Sequence, residues 1–219
     1  MTAFSSVNIR SLGLTEYSET FEEMKNFTKL RTSDTVDEIW FTEHHPVFTQ
    51  GIAGKKEHIL VPGEIPIVHS DRGGQVTYHG PGQVMGYLLF DLRRKKVSVR
   101  ELVFKIEQSI ICTLRELAID GERLIGAPGI YVDSKKIASL GLRVSRGCSY
   151  HGLSLNVNMD LEPFQRINPC GLTNIGVTQI SDLVSSPVHQ IEELLLEAIG
   201  DEFGFSSFHK LGNSRVSLF

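Results

Sequence analysis

Between Gly152 and Leu161 apolar and polar residues alternate without a break: Leu153, Leu155, Val157, Met159 and Leu161 are interleaved with Gly152, Ser154, Asn156, Asn158 and Asp160. Successive side chains of an extended chain point to opposite faces, so this run collects its apolar groups on one face and predicts a half-buried strand. Such a strand needs partners for its backbone groups and a layer over its apolar face. A matching layer is readable at 99–118, where Val103, Ile106, Ile110, Leu114 and Leu117 recur at helical spacing; this helix is expected to lay one face on the sheet.

Other segments fill in the plan. Thr15 is placed to cap a helix running to about Arg31, with Glu19, Glu22 and Glu23 near its start and Lys25, Lys29 and Arg31 near its end, as the helix dipole favours. Short strand-like runs follow at 37–42, 65–70, 75–78 and 84–92, separated by turns rich in Gly, Pro and His. Strands resume from Gly129, a third helix is expected at 187–203, and the polar tail from about residue 206 is expected to be loosely ordered. The order helix, strands, helix, strands, helix gives an α/β fold class, a mixed sheet with packed helices and antiparallel hairpins at the short turns. The 219 residues suit one large core, and residues 1–219 are read as a single domain.

Composition narrows the function. No apolar stretch is long enough to span a membrane, and the first ten residues lack the plan of a secretory signal, so a cytoplasmic protein is expected. A net charge of −4 argues against nucleic acid as the main partner. The run of Arg93, Arg94, Lys95 and Lys96 is either a solvated turn or a landing point for an acidic partner. Three cysteines, Cys112, Cys148 and Cys170, form no disulfide framework and leave thiol chemistry open.

Three places carry candidate chemistry. Residues 72–83 concentrate Gly and Pro around Arg72 and His79: a pocket wall with close backbone approach, a cation and an imidazole that titrates near neutral pH, or else a tight turn. Neither phosphate-loop nor dinucleotide spacing is present there. Lys136 has the strand parity of Ala138, Leu140, Leu142 and Val144, which brings it out on the apolar face. A lysine so desolvated is a candidate base or electrostatic partner for a thiolate; a strand-end lysine that reaches water is the alternative. Cys170 stands between Pro169 and Gly171, an accessible setting for a thiol, whereas most free cysteines are buried and inert. Cys148, His151 and Cys170 lack a fourth ligand and the close spacing of a zinc site, so no metal is expected. His44 and His45, adjacent on a strand end, point apart.

These residues resemble the octanoyltransferase family of lipoate biosynthesis. The resemblance covers the loop 72–83, the strand 136–144, the stretch 147–160 with its Tyr-His-Gly-Leu-Ser-Leu-Asn-Val-Asn run, and 167–171. It implies a fold similar to the catalytic domain of biotin and lipoate protein ligases. It also implies an acyl thioester on Cys170, with Lys136 as the catalytic partner. Substrate contacts are implied at Arg72, Gly73, Gly74, Gln75, Val76, Thr77, Tyr78 and His79, at Ser139, Leu140 and Gly141, and at Gly152, Leu153 and Ser154. The donor implied is octanoyl-acyl carrier protein. The acceptors are lipoyl domains of 2-oxoacid dehydrogenase complexes and the glycine cleavage H protein, all acidic partners, and no cofactor is implied. An ATP-dependent lipoate or biotin ligase, a thioesterase and a non-catalytic acyl or carrier-binding module are the competing readings.

Overall fold

The computed structural model describes residues 6–168, 176–184 and 190–212. In chain order they form β1 (Ser6–Thr15), α1 (Tyr17–Leu30), β2 (Asp37–His44), β3 (Val47–Gln50), β4 (Ile67–His69), β5 (Val76–His79), β6 (Gln83–Leu89), α2 (Leu92–Lys95), α3 (Val99–Glu116), β7 (Glu122–Leu124), β8 (Ala127–Val132), β9 (Lys135–Ser145), β10 (Cys148–Asn156), α4 (Ile191–Phe203) and β11 (Ser207–Lys210). Eight strands make one sheet in the order β11-β1-β2-β6-β10-β9-β8-β7, and β4-β3-β5 make a second, smaller one. Strand β1 runs parallel to both β2 and β11, whereas the ladder from β2 through β7 is antiparallel, so the sheet is mixed.

The alternating run enters the middle of the large sheet as β10, and its burial exceeds what alternation predicts: all nine residues of the strand are buried. Leu153 and Leu155 pack with Leu102, Ile106, Ile110 and Leu114 of α3 and with Leu195 and Ile199 of α4. On the other side Tyr17, Phe21 and Met24 of α1 join Trp40, Met85, Tyr87 and Tyr150. With helices on both faces, the polar positions of β10 are interior and must find partners inside the protein. Asn156 does so by accepting from Gln83 Nε2 at 2.9 Å and donating to the Thr178 carbonyl at 3.0 Å. The strand ends at Asn156; Val157 and Met159 stay buried while their amides turn to Gly82 O and Gln179 Oε1.

Several expectations need correction. Thr15 is the last residue of β1 and does not cap α1; the cap position is Glu16, which makes no side-chain cap, while Thr15 Oγ1 bonds with Thr42 Oγ1 at 2.9 Å. Strands β1 and β3 were absent from the sequence plan, and the helix expected at 187–203 spans Ile191–Phe203 among the described residues. The tail is anchored at its start: β11 pairs with β1, and Leu211 N donates to Ile9 O at 2.8 Å. The helix at 99–118 forms as read, with Ser98 Oγ accepting from Glu101 N at its start. The basic run is partly interior: Asp37 Oδ1 accepts from Arg94 Nη2 at 2.6 Å and Arg31 Nη2 at 2.7 Å, and Lys95 Nζ stands 3.8 Å from Asp37 Oδ2. Among the described residues no helix is long and apolar enough to cross a membrane.

Candidate active site

The loop between β4 and β5 is built around Arg72, which turns inward and is 7% exposed. Its Nη2 donates to Thr49 O and to Gln75 O at 2.8 Å, Nε donates to Thr49 Oγ1 at 3.1 Å, and Nη1 to Gly73 O at 3.0 Å. A guanidinium with five fixed donors can hold a carbonyl-rich loop in one shape, and here it fastens the loop to β3. The other side of the loop is tied to β9 by Gly73 N to Leu142 O at 2.9 Å. Gly141 makes that approach feasible, because a Cβ there would lie 3.0 Å from Arg72 Cδ.

His79 differs from its expected role. It is buried, with Nε2 3.1 Å from Thr49 Oγ1 and Nδ1 2.7 Å from Gln83 Oε1. Burial, reinforced by the neighbouring His44 and Arg72, holds its pKa well below the ordinary imidazole value, so it is a neutral fixture near pH 7. His44 behaves likewise, its pKa pushed down to about 4 chiefly by burial, with Nε2 2.6 Å from Tyr87 Oη. His45, next to it and just past the end of β2, is exposed.

Between the loop, β9 and β10 lies a cavity of about 340 Å³. Arg72, Gly73, Gly74, Gln75, Val76, Thr77 and His79 line it from the loop and β5, Ser139, Leu140 and Gly141 from β9, and Gly152, Leu153 and Ser154 from β10. Tyr78 points away: its ring packs against Phe48 and Phe164 in a separate apolar cluster under the small sheet. Cys170 lies outside the described residues.

Lys136 also lines the cavity and is 8% exposed. The β8–β9 ladder shifts register here: Ile130 pairs with Ala138 but Tyr131 with Lys136, so Ile137 is the extra residue of a bulge and the simple alternation from Lys136 to Ala138 is interrupted. Its Nζ donates to Pro128 O at 3.2 Å and sits 5.2 Å from the centre of the Tyr131 ring. Its backbone is bonded on the outer side as well, N to Gly176 O at 2.8 Å and O from Thr178 N at 3.0 Å, so the chain just beyond 169–175 is seated beside it.

Among the lining residues that the sequence reading did not place in the site, three carry polar groups of interest. Tyr17 and Tyr87 close the cavity from α1 and β6, and His151 lines it from β10. His151 Nε2 bonds to Asp71 Oδ1 at 2.9 Å, and Tyr150 Oη donates to Asp71 Oδ2. Burial pushes the Asp71 carboxyl up, but the His151 and Tyr150 bonds outweigh it and hold the pKa below the usual value; burial lowers that of His151. The Tyr-His pair was visible in the sequence, but no spacing rule links it to Asp71 on a distant loop. Among the described residues no three His, Cys, Asp or Glu side chains are gathered as a metal site requires.

A largely apolar cavity lined also by Arg72, His79, His151 and the buried Lys136 suits a ligand that is mostly uncharged. The family model for the lipoyl protein ligase A/B catalytic domain matches residues 16–200, most of the chain. Among solved structures, lipoate-protein ligase A bound with ATP superposes with a TM-score of 0.76 at 13% identity, covering 94% of this chain and 89% of that one. Biotin protein ligase from Aquifex aeolicus superposes at 0.54 with 11% identity, covering 92% and 70%. These likenesses define the fold class, the catalytic domain of lipoate and biotin ligases. Sequence relatives are more specific: an octanoyltransferase of Marinobacter nauticus is 56% identical over 90% of this chain and 94% of its own length. An octanoyltransferase of Cellvibrio japonicus is 51% identical over 94% and 97%. The chain belongs to the octanoyltransferase family.

Proposed function

We propose that this chain transfers an octanoyl or lipoyl group from the acyl carrier protein that bears it to the target lysine of lipoyl domains, through a thioester on Cys170. The acceptors are lipoyl domains of 2-oxoacid dehydrogenase complexes and the glycine cleavage H protein. The observation that carries this reading is the placement of Lys136: a buried amine at the wall of an apolar cavity, its backbone bonded to the segment that follows Cys170 in sequence.

In the first half-reaction the Cys170 thiolate attacks the carbonyl carbon of the donor thioester. A new C–S bond forms, the carrier's C–S bond breaks, and the carrier leaves as a thiol after taking a proton from the Lys136 ammonium, which leaves that amine free to accept a proton later. The charge of Lys136 favours the Cys170 thiolate over the thiol. In the second half the acceptor amine attacks the enzyme thioester, a C–N bond forms, the Cys170 C–S bond breaks, and the amine proton passes to Lys136 or to the departing sulfur. Exchange of one thioester for another is nearly isoenergetic and amide formation runs downhill, so neither half needs ATP. Lys136 is better suited than His79 to handle the proton, because both His79 nitrogens are engaged and the ring is held neutral. The cavity walls at Arg72–Thr77, Ser139–Gly141 and Gly152–Ser154 hold the acyl chain.

Intact-mass analysis after mixing with octanoyl-acyl carrier protein tests the reading. Wild type is expected to gain one octanoyl adduct that discharges onto an apo lipoyl domain without ATP, and Cys170→Ala to gain none. Equal transfer by Cys170→Ala would remove the thioester from the chemistry.

A further inference from the structure

The carbonyl that receives Lys136 Nζ belongs to the peptide joining Pro128 to Gly129, and the N–H of that same peptide is held by a charged group. Glu107, on α3 and 7% exposed, accepts from Gly129 N through Oε1 at 3.1 Å. Its other oxygen accepts from Arg123 Nε on β7 at 3.0 Å. Arg123 is itself located by Nη2 bonds to Phe104 O at 3.1 Å and Gln108 Oε1 at 3.0 Å, and its guanidinium lies 4.3 Å from the Phe104 ring centre. A continuous chain of contacts therefore runs from Arg123 through the Glu107 carboxylate and across one amide to the Lys136 amine.

We propose that Glu107 is a positioning residue for Lys136 and acts through this peptide; the inference rests on the reading that Lys136 works with Cys170. A carboxylate on the N–H end polarises the amide and makes its oxygen a stronger acceptor, as in any chain of hydrogen bonds of the same sense. The bond from Lys136 Nζ to Pro128 O then pins the amine at one place on the cavity wall. The peptide itself has little room to move. Gly129 has φ +129°, and a Cβ there would stand 2.6 Å from Ala138 O and 3.2 Å from Lys136 Cε. Only a glycine lets the peptide lie flat between β9 and the lysine stem. A carboxylate buried on a helix face is costly unless both oxygens are bonded, and here Arg123 takes one while the Gly129 N–H takes the other.

The test measures transfer from octanoyl-acyl carrier protein to an apo lipoyl domain for wild type, Lys136→Ala, Glu107→Ala, Glu107→Gln and the double variant Glu107→Ala with Lys136→Ala. A misplacement of the amine by about 1 Å predicts a fall in kcat of about 10- to 100-fold for Glu107→Ala, with KM for the donor unchanged. Glu107→Gln keeps an oxygen for Gly129 N–H and is expected to recover most of that loss. The double variant is expected to match Lys136→Ala alone, because a residue that acts through the lysine has nothing left to position. Wild-type kcat in folded Glu107→Ala, or losses that multiply in the double variant, would overturn the proposal. If Glu107→Ala does not fold, Glu107→Leu, which keeps the volume and lacks the acceptor, is read by the same two criteria. Loss in Lys136→Ala with none in the Glu107 variants sinks the positioning alone; full activity in Lys136→Ala sinks the catalytic reading of the lysine with it.

Discussion

At the scale of the residue, the site is organised by polar groups that have lost their contact with water. His44 is the clearest case for a pH dependence. Its pKa falls from the ordinary imidazole value of 6.5 to about 4 in the folded protein, so between those values the unfolded chain binds the proton more readily. Stability from this group is fully present above pH 6.5 and is lost as pH falls toward 4, up to about 3 kcal/mol at 1.36 kcal/mol per pH unit. Urea unfolding across that window is expected to show a steep decline that His44→Gln flattens; an unchanged slope in the variant would refute the assignment. Alternation in the sequence marked Lys136 as an inward-facing candidate, and the structure buries it at the cavity wall beside the bulge at Ile137. His79 was read as a group able to titrate near neutral pH, whereas burial, with His44, Thr49 and Arg72 brought to it from other elements, keeps it neutral.

At the scale of the element, the ends of α1 and α2 meet β2 at one carboxylate. Asp37, 4% exposed, gathers Arg31, Arg94 and Lys95, and also accepts from Asp91 N at 2.9 Å. Removing one member of a buried charge cluster leaves the others uncompensated, so Asp37→Asn is expected to destabilise the protein by about 3 kcal/mol or more. Denaturant titration checks this, and a loss below about 1 kcal/mol, the worth of a surface pair, would mean that the cluster is effectively solvated. The long amphipathic α3 was legible because its period recurs over several turns. Strands β1 and β11 were not: β11, Ser-Phe-His-Lys, is a four-residue edge segment that takes its conformation from pairing with β1, and β1 is held between β11 and β2.

At the scale of the whole molecule, the proposed function predicts that exposed basic groups near the two arginine-bearing segments, 93–96 and 143–146, steer acidic protein partners. Arg94 and Lys95 are committed to Asp37, and Arg146 donates to Thr28 O and Lys29 O, both at 2.7 Å, at the end of α1. Arg93, Lys96 and Arg143 are exposed. Transfer is therefore expected to slow as salt rises, through a weaker encounter at these three positions. Charge reversal at all three should lower kcat/KM and reduce its salt dependence; no change in either would place docking elsewhere.

What the sequence by itself determined was local and periodic: the helix at 99–118, the central strand, and the motifs at 72–83, 136–144 and 147–160 that carry the family resemblance. Periodicity is a property of neighbours along the chain, so it survives without knowledge of the fold. Only the tertiary structure decided that both faces of β10 are covered, that Tyr78 looks away from the cavity, and that Asp71 meets His151. It also decided that Glu107 reaches Gly129 across from Lys136. Each of these joins residues remote in sequence, where packing of helices on the sheet, and no local rule, selects the partner.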